Sequence, residues 1–250
     1  MYRTCSHNKL LILKKKKLNM NPEKLDILAF AAHPDDVELA ASGTILKHIS
    51  MGKKVGVVDL TRGEMGTRGS AEQRDQEAKE ASKVLGVHFR ENLMLADCFF
   101  EVNEHSLNKI IEQIRRFKPK VVLCNAVSDR HPDHGRASEL VSRACFLSGL
   151  SKVKTTFHGA SQQHYRPYAV YHYIQDHWLN PDFVVDVSAF YGKKIESILS
   201  FKSQFYDPNS KEPLTPISSE GFLESVKARA VALGRYINVD YAEGFTVERF

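Results

Sequence analysis

The sequence predicts an α/β protein: a Rossmann-like three-layer fold with a mostly parallel sheet and helices on both faces. Apolar runs rich in β-branched residues recur at Leu25 to Ala31, Lys54 to Leu60, Asn92 to Leu95 and Lys120 to Cys124. Each is separated from the next by a stretch that reads as helix, the alternation expected of βαβ units. Helix start and stop signals fall between these runs rather than inside them.

Taken in order, Leu25 to Ala31 is the first strand, and the turn His33 to Asp36 leaves its carboxyl end. Lys54 to Leu60 is the second. Ser70-Ala-Glu-Gln73 has the form of a capping box, so a charged helix starts there and runs to Leu85, where Gly86 closes it. Asn103 opens another helix with Ile110, Ile111 and Ile114 on one face and Pro119 beyond its end. Pro132 stands where proline is tolerated, in the first turn of a helix running to Leu147. The last hundred residues are less regular. Tyr168 to Ile174 and Phe183 to Val187 read as strands, Ala189 to Phe205 as a helix, and Ser219 to Tyr236 as a final helix. Between these helices "DPNSKEPLTPISSEG", with Pro208, Pro213 and Pro216, reads as a mobile surface loop of lid length.

A length of 250 residues fits one α/β domain. The formal charge of +5 comes from 35 basic against 30 acidic residues. Arg3, Lys9 and Lys14 to Lys17 stand in residues 1–19 without an acid, so the rest of the chain is close to neutral. The expected organisation is a disordered basic leader over 1–19 and a single domain over 20–250. The lysine run motivates a non-enzymatic alternative, a nucleic-acid or membrane-surface module. The near-neutral remainder argues against it, and neither nucleic acid nor membrane is expected as a partner. Leu10 to Leu13 precedes the lysines and is too short for a signal-peptide core, and no stretch approaches the ~20 apolar residues of a membrane span. Cys5, Cys98, Cys124 and Cys145 make no CxxC pair and read as reduced thiols, which places the protein in the cytoplasm.

Two short clusters carry the chemistry. His33-Pro-Asp-Asp36 and His131-Pro-Asp-His134 each leave the carboxyl end of an expected strand, the rim where open α/β sheets bind ligands. Taken singly, an aspartate after proline is an ordinary helix cap. Two such tetrads about a hundred residues apart point instead to one shared site. Two histidines and one carboxylate, with a position left to water, are a common catalytic zinc set. Three of the six groups then remain free to move protons. Arg130, beside the second tetrad, is a candidate clamp for a substrate carboxylate. The spacing Gly63-x-x-Gly66-x-x-Gly69 does not match a dinucleotide fingerprint, so nucleotide binding lacks support.

From Leu25 to Phe250 the chain resembles the LmbE-like (PIG-L type) N-acetylglucosaminyl deacetylases. The resemblance rests on "AHPDD" at Ala32 to Asp36, "TRGEMGTRG" at Thr61 to Gly69, "RDQE" at Arg74 to Glu77 and "HPDH" at His131 to His134. Within that family it is most similar to the bacillithiol-biosynthesis deacetylases, through "YIQDHW" and "YAEGFTVERF". The resemblance implies a zinc hydrolase, with Fe2+ as an alternative occupant, that removes acetate from a GlcNAc conjugate. N-acetylglucosaminyl malate is the first choice; a bacillithiol-conjugate amidase or another GlcNAc-conjugate deacetylase is the alternative. It further implies His33, Asp36 and His134 as metal ligands and Asp35 as general base. His131, with Asp133 behind it, would stabilise the oxyanion or protonate the leaving amine. Arg74 would hold sugar hydroxyls, Glu64 would border the site, and Asp97 would be a weaker sugar contact. Relatives form homo-oligomers, often hexamers. A remoter alternative is a non-haem iron oxygenase, which also uses two histidines and a carboxylate. Nothing in the sequence resembles its succession of short barrel strands, and it leaves Asp35 and His131 without a task.

Overall fold

The structure, a computed structural model, describes residues 24–249; the expected basic leader and Cys5 lie outside them. In chain order the elements are β1 (Ile27–Ala31), α1 (Asp36–Ser50), β2 (Val55–Asp59), α2 (Ala71–Leu85), β3 (Phe89–Asn92), α3 (Glu104–Phe117) and β4 (Val121–Cys124). There follow α4 (Pro132–Ser148), the small hairpin β5 (Thr156–Phe157) and β6 (Ala160–Ser161), β7 (Ala169–Tyr173), β8 (Phe183–Asp186), α5 (Tyr191–Ile198), α6 (Phe222–Gly234) and β9 (Ala242–Arg249). The main sheet has seven strands in the order β3-β2-β1-β4-β7-β9-β8. All neighbours pair in parallel except β9, which runs antiparallel to both β7 and β8. The expected α/β class, mostly parallel, is what the chain adopts.

The alternation of side chains along β1 explains the layers. Leu28 and Phe30 join the core with Ile110, Ile111 and Ile114 of α3 and Leu140 and Val141 of α4. Ile27, Ala29 and Ala31 join the other core, with Val37, Ala41 and Ile45 of α1. A third cluster packs Ala78 and Ala81 of α2 against Ile198, Phe201, Phe205 and Val226. The helix ends follow the local chemistry read from the sequence. Ser70 accepts from Gln73 N, Asn103 accepts from Ser106 N, and Gly86 takes the left-handed conformation at φ 69°.

Six elements differ from the sequence reading, the unforeseen hairpin of β5 and β6 among them. β3 starts and ends earlier than Asn92 to Leu95, because Arg90 pairs with Asp59 and Glu38 and gives the edge strand a polar pattern. Leu93 and Leu95 are buried just beyond it, with their N–H groups on Asp59 O and Leu60 O. α5 is shorter than Ala189 to Phe205. Past Ile198 the chain turns so that Phe201 and Phe205 reach the third cluster, and Glu77 holds the turn by accepting from Ser203 N and Oγ, both at 2.7 Å. α6 covers only Phe222–Gly234 of Ser219 to Tyr236. β9 was not expected at all.

A buried ion pair ties the last strand to the first helix. Lys194 of α5 lies 2.7 Å from Glu243 of β9, with 2% and 3% of their side chains exposed. Lys194 donates to Leu39 O, and Glu243 accepts from Gly43 N and Thr44 N of α1. Both charges are therefore matched by backbone polar groups, which a buried pair requires.

Candidate active site

The sheet reverses its winding at β1. Its chain continues to β2 on one side, while β4 lies on the other, and a crevice opens where the two following loops diverge. Asn125, next after β4, binds the loops together by accepting from Ala32 N at 2.9 Å. The two tetrads meet there.

Asp36 stands between the imidazoles. Its Oδ1 lies 3.0 Å from His134 Nε2 and its Oδ2 lies 3.6 Å from His33 Nδ1. Asn125 Nδ2 and Gln175 Nε2 each donate to one of its oxygens at 3.0 Å. Burial alone would raise the Asp36 carboxyl, but the charge and hydrogen bonds of His134 and His33 hold it well below the usual range. The outer nitrogens of the two histidines are also occupied. His33 Nε2 lies 3.0 Å from Asp97 and 3.4 Å from Asp133, and His134 Nδ1 is hydrogen-bonded to Asp129. Burial disfavours both imidazolium ions, yet the surrounding carboxylates prevail: His33 titrates well above its ordinary value and His134 at about 9.

Asp35 carries backbone strain. Its φ of 124° lies in the left-handed half of conformational space that glycine favours, and its side chain makes no helix-cap bond. The simple cap that one tetrad alone would allow is therefore not its role. Instead its carboxylate, 5% exposed, receives a hydrogen bond from Arg74 at 3.0 Å. Burial raises its pKa to about 7, although Arg74 pulls the other way. The glycine-rich turn makes room for that arginine. Gly63 has φ 67°, and a Cβ there would stand 2.2 Å from Arg74 Nη1.

His131 caps α4, with its Nδ1 3.3 Å from Asp133 N. Its ring centroid is 4.6 Å from that of His33 and 5.2 Å from that of His134. Burial and then these two neighbours lower its pKa. The Asp133 carboxylate does not sit behind the His131 ring as expected. It turns toward the loop after β3, where Cys98 N and Arg136 donate to it, and backs His33 instead. Asp97 places one oxygen on His33 and accepts from Met65 N with the other. Glu64 borders the site through hydrogen bonds from Asp97 N and Arg62 N. Arg130 donates to Asp176 at 2.6 Å.

A cavity of about 290 Å3 joins these groups; His33, Asp35, Arg74, Asp97, His131 and His134 all line it, and so does Arg130. Ligand atoms of His33, His131 and His134 lie within 4.8 Å of one another, as do those of His33, Asp97 and Asp133. His33 Nδ1 and His134 Nε2, both beside Asp36, could hold a divalent cation with that carboxylate. Both imidazoles then keep a carboxylate on the opposite nitrogen, the usual support for a metal-binding histidine. Sequence reasoning missed Asp129, Asn125 and Gln175. Asn125 and Gln175 stand one and two residues past the ends of buried strands β4 and β7, a place where a lone amide has no packing role.

The fold is thus an α/β sheet with a crevice at its winding reversal, around which imidazoles and carboxylates crowd. Residues 28–145 match the family model described as PIG-L: GlcNAc-PI de-N-acetylase. The chain is 36% identical to the conserved protein TT1542 from Thermus thermophilus, over 89% of this chain and 94% of that one, with a TM-score of 0.79. The uncharacterized deacetylase YaiS of Escherichia coli is 29% identical over 54% of this chain and 75% of its own. The N,N'-diacetylchitobiose deacetylase of Pyrococcus horikoshii shares the fold at a TM-score of 0.75 and 24% identity, over 88% of this chain and 82% of that one. The chain belongs to the PIG-L (LmbE-like) deacetylase family.

Proposed function

We propose that this protein is a metal-dependent deacetylase that hydrolyses the N-acetyl group of a GlcNAc conjugate, with N-acetylglucosaminyl malate as the first candidate. The observation that carries the reading is the meeting of His33, Asp36 and His134 on one side of a cavity that Asp35 also lines. His33, Asp36 and His134 would hold the cation, zinc in the first instance and Fe2+ as the alternative. When bound, such an ion acidifies water and polarises a carbonyl.

The chain's own groups supply the rest. Asp35, poised near neutrality by burial against Arg74, accepts the proton of the attacking water. An amide also requires stabilisation of the developing oxyanion and protonation of its nitrogen. His131 is placed for either task from the rim of the same cavity. Asp133 and Asp97 orient His33, and Asp129 orients His134. Arg74 and Asp97 are the groups offered to the sugar, and Glu64 fixes the loop that carries Asp97.

The test is release of free amine from N-acetylglucosaminyl malate by purified protein with zinc. Loss of activity to a chelator and its return on adding metal is the expected result. No amine released by the metal-loaded protein from any N-acetylglucosaminyl conjugate would overturn the reading.

A further inference from the structure

The cavity that holds the tetrads also has an apolar wall, built from Leu39, Ile217, Phe222 and Val226. One turn beyond Val226 on α6, Arg229 lines it too. The Arg229 side chain is only 15% exposed. A guanidinium has five N–H donors. Its contacts among the described residues are Asp176 O at 3.4 Å and Asp176 Oδ1 at 3.6 Å, both from Nη2. The other oxygen of Asp176 is taken by Arg130, at the much closer 2.6 Å. Two guanidinium groups on one cavity therefore share one carboxylate. Asp129, the other acid acting on Arg229, is engaged by His134 and His177 N. Arg229, beside an apolar wall, is thus held only by long contacts to an acid that Arg130 binds more closely, and it makes no other hydrogen bond to the described residues.

We propose that Arg229, working with Arg130 across Asp176, recognises a carboxylate on the part of the substrate that lies away from the acetamide. This rests on the deacetylase reading and deepens it by assigning the residue that selects an anionic conjugate. The long Arg229–Asp176 contact is what an incoming carboxylate replaces with paired hydrogen bonds, while Arg130 keeps its own bond to Asp176. The apolar wall excludes water from the pair and strengthens it.

The experiment compares metal-loaded wild type with Arg229→Gln on N-acetylglucosaminyl malate and on the neutral methyl glycoside of N-acetylglucosamine. The ratio of kcat/KM for the anionic over the neutral substrate is expected to fall ~10–100-fold, the worth of hydrogen bonds to a charged group. An unchanged ratio, with both substrates affected alike or neither affected, overturns the proposal. Calorimetric titration with L-malate and with inorganic phosphate separates this outcome from failure of the deacetylase reading, because it needs no turnover. Malate bound by wild type and weakened at least tenfold in Arg229→Gln supports the site. Equal malate binding by both proteins sinks it, and preference for phosphate over malate sinks the carboxylate assignment. Matching thermal melts of the two proteins show that the variant folds.

Discussion

Replacing Arg74 by methionine keeps an unbranched apolar stem and removes the charged guanidinium. Asp35 has its pKa near 7 because burial pushes it up while Arg74, 3.0 Å away, pulls it down. Without the guanidinium burial is opposed only by the weaker pull of His33, and loss of an adjacent arginine moves a carboxyl by ~1–3 units. A base acts only when ionised, so the acidic limb of the rate profile moves to higher pH. At pH 7 the ionised fraction falls from about one half to between ~10% and ~0.1%, a loss of ~5- to ~500-fold that alkaline conditions restore. A bound cation beside Asp35 draws both profiles toward lower pH, so the separation between variant and wild type is the quantity to read. The assay is kcat for acetate release across pH 5.5 to 10 with metal held constant. Superimposable limbs, with a uniform drop in rate or a change in KM alone, would refute the claim that Arg74 sets the proton affinity of Asp35.

In metal-stripped protein Asp35 should reveal itself through stability. Its folded pKa of about 7 exceeds the unfolded value of 3.8, so its favourable contribution is complete below pH 3.8 and is lost as pH rises through 7. Wild type should therefore lose melting temperature relative to Asp35→Asn between pH 4 and 7, and a constant difference would contradict this. Asp129→Asn removes the negative charge from the partner of His134 Nδ1 and should weaken metal binding ~10–100-fold in chelator competition; unchanged affinity would count against the metal site. Gly63→Ala places a methyl group against Arg74 and should reproduce the alkaline shift of Arg74→Met in milder form, read from the same profiles. Lys194→Met strands Glu243 in the interior and should cost ~3–5 kcal/mol by chemical denaturation. A cost below about 1 kcal/mol would mean that the pair is readily replaced.

Much of the architecture was readable because local signals and burial agree. β1, β2 and β4 are short apolar runs buried on both faces, and Ser70, Asn103 and Pro132 mark helix starts by chemistry that needs no tertiary partner. The meeting of the tetrads followed from their place at strand ends. β9 escaped notice because its residues mix small, acidic and apolar types, and its β-structure depends on pairing with β7 and β8. The turn after α5 is dictated by Glu77, more than a hundred residues earlier, which no local pattern records. Likewise nothing near Asp133 in sequence shows that Cys98 N, 35 residues earlier, joins the neighbouring Arg136 in turning its carboxylate toward His33. Asp129 was readable in principle, five residues before His134, but carboxylates that orient ligands share no spacing rule.

The place of β9 between β7 and β8 bears on how the chain comes to work. During synthesis β8 emerges before the strand that bridges it to the sheet, so that edge of the sheet stays open until β9 is made. The same segment brings the acid that grips α1 behind Asp35 and Asp36. A nascent or clipped chain lacking residues 242–249 would expose an unsealed sheet edge and leave the amine of Lys194 stranded. Sealing of the sheet by β9 and seating of the helix that begins at Asp36 are thereby coupled.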